Sequence, residues 1–169
     1  MCLNRKPEVI RKGKAGKPNE FGNLVKIQEA ENQIVTHYEV FEERPSDSAL
    51  LTPSLERHIE QFGHPPEIVA ADAGFFSAAN EVRAEQLGVE RVAVPSHSTK
   101  SAQRKERQKK RWFRKAQKWR TGCEGRISVL KRRHGISRSR YKGTEGMRRF
   151  VGLGVIADNL INIGKAMAR

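Results

Sequence analysis

The order of segments predicts an α/β fold, because paired strands come first and short strands then alternate with helices, an order that builds a sheet covered by helices. Three observations carry this. Residues 23–29 (NLVKIQE) and 33–41 (QIVTHYEVF) are apolar and β-branched, with a turn at Asn32, as in a hairpin. Residues 67–71 and 91–94 are short apolar runs, ended by Asp72 and by Pro95. Helical periodicity fills the segments between and after them.

Residues 1–22, rich in Lys, Gly and Pro, read as a loop with a short strand at 8–11. After the hairpin, Ser46 or Asp47 caps a helix through Phe62, with Leu50, Leu51, Leu55, Ile59 and Phe62 near helical spacing and Gly63 as the stop. The strand at 67–71 leads through the Gly74 turn to a helix over 78–87, capped by Ser77 and closed by Gly88. The strand at 91–94 leads into a polar loop and then one long basic helix, from about Arg104 into the 130s and stopped by Gly135. An apolar C-terminal helix follows over 144–168, with Phe150, Leu153, Ile156, Leu160, Ile163 and Met167 on one stripe. Residues 23–169 are expected to form one domain.

The chain of 169 residues carries +14, and that charge is local. Residues 100–140 hold seventeen of the 33 Lys and Arg and only two of the 19 acids, Glu106 and Glu124, so this stretch carries +15 and the remainder −1. A basic run is often a tail or a solvated helix face. This one is interleaved with Trp112, Phe113 and Trp119 and followed by apolar sequence, which favours a DNA-facing element. The expected contacts are Lys109, Lys110, Arg111, Trp119, Arg120, Lys131, Arg132 and Arg133. No apolar run approaches the eighteen or so residues of a membrane span, so no membrane partner is expected. Cys2 and Cys123 form no CxxC pair, which excludes a zinc finger and a disulfide framework and places the chain in the reducing cytoplasm.

Two carboxylates invite chemistry. Asp72 ends an apolar strand, and in open α/β sheets sites lie beyond the carboxyl ends of strands. It is either a metal ligand or an Asx-turn residue that satisfies backbone N–H groups. Glu124 shares a helix face with Arg120 and Lys131, about 40° and 20° away at 100° per residue. A carboxylate among bases stays ionised, as a magnesium ligand must, while the bases grip phosphates. It reads equally as the end of a capping box, Thr121-x-x-Glu124, opening a helix at residue 122, or as half of a surface ion pair with Arg120. The five histidines show no metal spacing, Ser96-His97-Ser98 is no nucleophile elbow, and no GxxxxGK loop is present.

Several stretches together resemble the C-terminal part of bacterial insertion-sequence transposases of the DDE type: KPNEFG at 17–22, ADAGFFS at 71–77, WRTGCEGR at 119–126, RSRYKG at 138–143 and GLGVIADNL at 152–160. The sharpest is the signature Tyr-x2-Arg-x3-Glu-x6-Lys, whose last three positions are met by Arg120, Glu124 and Lys131; Gln117 stands at the tyrosine position. The resemblance implies a ribonuclease H-like mixed sheet flanked by helices, with Asp72 and Glu124 as catalytic metal ligands. It implies Mg2+ as cofactor (Mn2+ as substitute), double-stranded transposon ends as substrate, and a second copy or a full-length transposase as protein partner. It also implies strand cleavage and transfer, in a nucleoid-associated cytoplasmic setting. No aspartate precedes Asp47, so the family's first catalytic aspartate is missing and residues 1–22 would hold a remnant of the first core strand. An N-terminally truncated copy with weak metal binding and no strand transfer of its own is the expectation. The rival reading is a non-catalytic basic nucleic-acid-binding protein or an inactive transposase relic.

Overall fold

The computed structural model of the chain describes residues 2–5, 23–136 and 139–168, the side chains of 2–5, 23 and 124 excepted. The expected strand at 8–11, the KPNEFG stretch and Arg138 lie outside the described residues. The class is mixed α/β with small sheets, and the chain divides into two compact units, Met1–Arg44 with Cys123–Arg169, and Pro45–Gly122.

In the first unit, β1 (Cys2–Arg5), β2 (Asn23–Glu29) and β3 (Val35–Phe41) form an antiparallel sheet in that order, with Val25 opposite Val40 and Ile27 opposite Tyr38. The β2–β3 turn passes through Asn32 and Gln33, both left-handed at φ 55° and 63°. Asn tolerates that region, whereas Gln is an uncommon occupant. Asn162 holds the turn by donating to the Gln33 carbonyl at 3.0 Å. The expected C-terminal helix, α5 (Gly143–Met167), packs on this sheet, and Val25, Val35, Val40, Leu130, Ile136, Met147, Val151 and Val155 form the core. Gly152 permits the close approach, since a Cβ there would meet the Tyr38 ring at 3.0 Å. The stripe from Leu153 to Met167 is not the buried face. Its five members after Phe150 are exposed, while Val151, Val155, Asp158 and Asn162 turn inward. By length and composition α5 is apolar enough to cross a membrane, which corrects the expectation that no segment reaches that size; a third of its most apolar window is buried.

In the second unit, the Ser46 hydroxyl caps a 3-10 turn, Asp47–Leu50, that runs into α1 (Leu51–Phe62), and Gly63 ends it at φ 76°. Then come β4 (Ile68–Ala70), α2 (Ala78–Gln86) and β5 (Arg91–Ala93), with β5 parallel to β4. Ser77 caps α2 by accepting from the Asn80 N–H at 3.0 Å, as its position before the apolar run suggested.

The single long basic helix is corrected to two. They are α3 (Ala102–Lys109) and α4 (Arg111–Arg133), broken at Lys110, whose ψ is 143°. No Gly or Pro marks the break. Packing explains it: Arg104 and Arg107 of α3 pair with Glu81 of α2, while Phe113 and Ala116 of α4 bury against Ala93 of β5. α4 runs unbroken through Gly122 and Gly125, and the Thr121 hydroxyl donates to the Gln117 carbonyl at 3.0 Å. The capping box at Thr121 is therefore overturned, because residue 121 lies inside a helix rather than before one.

Candidate functional site

The carboxyl ends of β4 and β5 are fastened by one side chain. Gln117 of α4 donates its amide N–H groups to the carbonyls of Ala71, at 3.2 Å, and Ala93. Asp72 follows directly, and its carbonyl accepts from the Phe75 N–H at 3.0 Å to start a short 3-10 turn. Its carboxylate caps nothing, so the Asx-turn reading does not hold. It forms an ion pair with Arg120, one helical turn beyond Gln117. Arg120 is 19% exposed and Asp72 43%, so the acid is open to a ligand from solvent.

A magnesium ion takes oxygen ligands in near-octahedral array, commonly from one or two carboxylates, phosphates and water. Asp72 offers one such oxygen donor, at the strand end where α/β sheets place their chemistry. The described residues do not complete a centre around it: they contain no group of three or more His, Cys, Asp or Glu able to hold a metal. The positive charge beside it is the Arg120 guanidinium. The Glu124 side chain, the second expected ligand, lies outside the described residues.

The expected DNA contacts divide by use. Lys110, Arg111 and Trp119 are exposed on the second unit, and Lys109 is exposed while paired with Glu106 at 2.7 Å. Lys131 and Arg132 are exposed on the first unit, as is Arg133, whose guanidinium lies 4.0 Å from Asp158. Arg120 is engaged by Asp72. Other members of the basic block are structural, Arg104 and Arg107 on Glu81 and Arg126 inside the first unit. Trp112 is partly buried, edge-on to Phe113 with ring centroids 5.5 Å apart, so Trp119 is the better placed of the two to stack on a base.

Inside the first unit lies a buried polar network that the sequence reading missed. Arg126 donates to Asp158 at 3.0 Å, to Glu29 at 3.3 Å and to the Gln33 amide oxygen. Asp158 is fully buried and also accepts from Asn162 at 3.1 Å, with the His134 ring nitrogen at 3.4 Å. Burial pushes the Glu29 carboxyl above its usual range, against the opposing pull of Arg126 and a hydrogen bond from the Cys123 thiol. One signal was legible, namely Asp158 and Asn162 four residues apart in an otherwise apolar helix.

Residues 82–163, from α2 through most of α5, match the family model of the transposase DDE domain. This segment belongs to the DDE transposase family. It spans just under half of the chain and includes Arg120, Glu124 and Lys131, whereas Asp72 precedes it. No curated protein and no solved structure matches the chain. DDE transposase domains act on DNA and depend on divalent metal as a class, and the matched segment supports a transposition-related function in general.

Proposed function

We propose that the chain acts in DNA transposition as a strand transferase with a ribonuclease H-like core, in which Asp72 and Glu124 are the carboxylates for Mg2+ or its substitute Mn2+. The observation that carries this reading is the arrangement at the end of β4: a solvent-open Asp72 set against Gln117 and Arg120. Arg120, Glu124 and Lys131 meet the last three positions of the family signature, with Gln117 in place of its tyrosine. In this reading Gln117 holds the strand ends, Arg120 positions Asp72, and Lys131, Arg132 and Arg133 with the exposed bases from Lys109 to Arg111 grip the phosphates of a transposon end.

One observation favours a second reading, a DNA-binding family member without catalysis. Asp72 is already paired with Arg120, and no third donor joins it among the described residues. A joining assay on pre-cleaved transposon-end duplex, with Mg2+ or Mn2+, separates the two. The catalytic reading expects joining that Asp72→Ala and Glu124→Ala each abolish while duplex affinity stays unchanged. Tight duplex binding with no joining in either metal overturns it in favour of the second.

A further inference from the structure

The loop that follows β5 and the elbow between α3 and α4 line an open cavity of about 330 Å3. It lies beyond the carboxyl end of β5, where α/β sheets bind their ligands, and wholly within the second unit. The break at Lys110 creates it. Lys105 and Arg114 are nine residues apart, which in one continuous helix places them about 180° from each other, on opposite faces. With α3 and α4 separated, both side chains line the same hollow.

The lining combines charge with apolar wall. No Asp or Glu contributes to it, and neither Lys105 nor Arg114 forms an ion pair among the described residues. Their neighbours differ, since Arg104 and Arg107 are both neutralised by Glu81. Ser96 is only 6% exposed and gives its N–H to the Gln108 side-chain oxygen at 2.9 Å. Its hydroxyl has no partner among the described residues, and a polar group at so buried a position is costly until a ligand or water completes it. Two unpaired cations and a hydroxyl suit a phosphate, which takes up charge-assisted hydrogen bonds. Pro95 and Phe113 supply apolar wall for a ring. The volume is near the lower end of the roughly 300–1,000 Å3 of small-molecule pockets, which admits one nucleotide and no stretch of duplex. Gln117 also borders the cavity, but its N–H groups are committed to Ala71 and Ala93, and neither Asp72 nor Arg120 lines it.

We propose that this cavity binds a single nucleoside phosphate, with the phosphate on Lys105, Arg114 and the Ser96 hydroxyl and the ring against Pro95 and Phe113. Such binding needs no metal and no strand transfer, so its failure and the failure of the catalytic reading are separate results. The test is titration calorimetry of the full chain with thymidine 5′-monophosphate in the presence of EDTA. Saturable binding of one molecule per chain is expected, with thymidine and inorganic phosphate each about tenfold weaker or more. Lys105→Gln and Arg114→Gln change exposed side chains and leave the fold intact, and each is expected to weaken binding about tenfold. Ser96→Ala is expected to weaken it less, and Lys115→Gln, outside the cavity, to leave it unchanged. Two duplexes then identify the source of the nucleotide. Displacement of the monophosphate by a duplex with one unpaired thymidine, but not by its fully paired counterpart, supports the proposal and assigns the cavity to an unpaired nucleotide of DNA. Displacement by neither duplex supports it with a free nucleotide as occupant. No saturable binding overturns the proposal, as does inorganic phosphate binding as tightly as the monophosphate. So does an equal loss in Lys115→Gln, or displacement by the paired duplex as effective as by the unpaired one, since either marks diffuse attraction to phosphate.

Discussion

Arg126 stands between two buried carboxylates, and removing it exposes what each costs. Arg126→Met leaves Glu29 and Asp158 facing each other without their shared cation, and loss of one partner of a buried pair costs about 3–5 kcal/mol. Urea unfolding of the variant is expected to show that loss. Glu29 also sets a pH dependence. Its carboxyl is raised above 4.5 by burial, so just above pH 4.5 the folded chain holds more of that proton than the unfolded chain does. Its contribution to stability is therefore complete below pH 4.5 and is lost as pH rises through its native value. Glu29→Gln keeps the shape and is expected to flatten that part of the stability–pH curve, with Arg126, Cys123 and Asp158 unchanged around it. Asp72 was legible in the sequence because a carboxylate that stops an apolar run announces itself locally. The partners were not. Arg126 lies 97 residues from Glu29 and 32 from Asp158, and no local pattern encodes such a meeting.

Among the elements, those with a chemical start and stop were readable. Ser46 and Ser77 cap where a hydroxyl precedes an apolar run, and Gly63 and Gly88 end helices with positive φ. The break at Lys110 carried no such mark, since it arises from what α3 and α4 each pack against. The apolar stripe of α5 is legible as a stripe, but burial went to a neighbouring face that contains two glycines and two polar residues. Gly152 makes that choice testable. Gly152→Ala pushes a methyl into the Tyr38 ring, and overpacking of this kind costs about 1–3 kcal/mol. The expected outcome is a lower urea midpoint with an unchanged m-value, restored in part by Tyr38→Phe, which removes the nearest atom.

For the molecule as a whole, +15 concentrated in residues 100–140 against −1 elsewhere means that duplex affinity is expected to fall steeply and linearly on a log–log plot against salt. Changing Lys109, Lys110 and Arg111 to Gln is expected to reduce that slope by up to roughly 0.9 for each phosphate no longer neutralised, without altering sequence preference. Titration of a labelled duplex at four salt concentrations measures it. An unchanged slope in the triple variant removes this face from the DNA interface.

Gln117 also constrains which residues its position accepts. Its amide carries two N–H donors and commits them to two carbonyls, Ala71 and Ala93, whereas the tyrosine of the family signature carries a single O–H. Gln117→Tyr therefore meets the signature's first letter while surrendering one of the two fastenings. The amide and the two strand ends it joins depend on each other, so a tyrosine at this one position leaves the carbonyl of Ala71 or of Ala93 without its donor unless a change beside β4 or β5 supplies another.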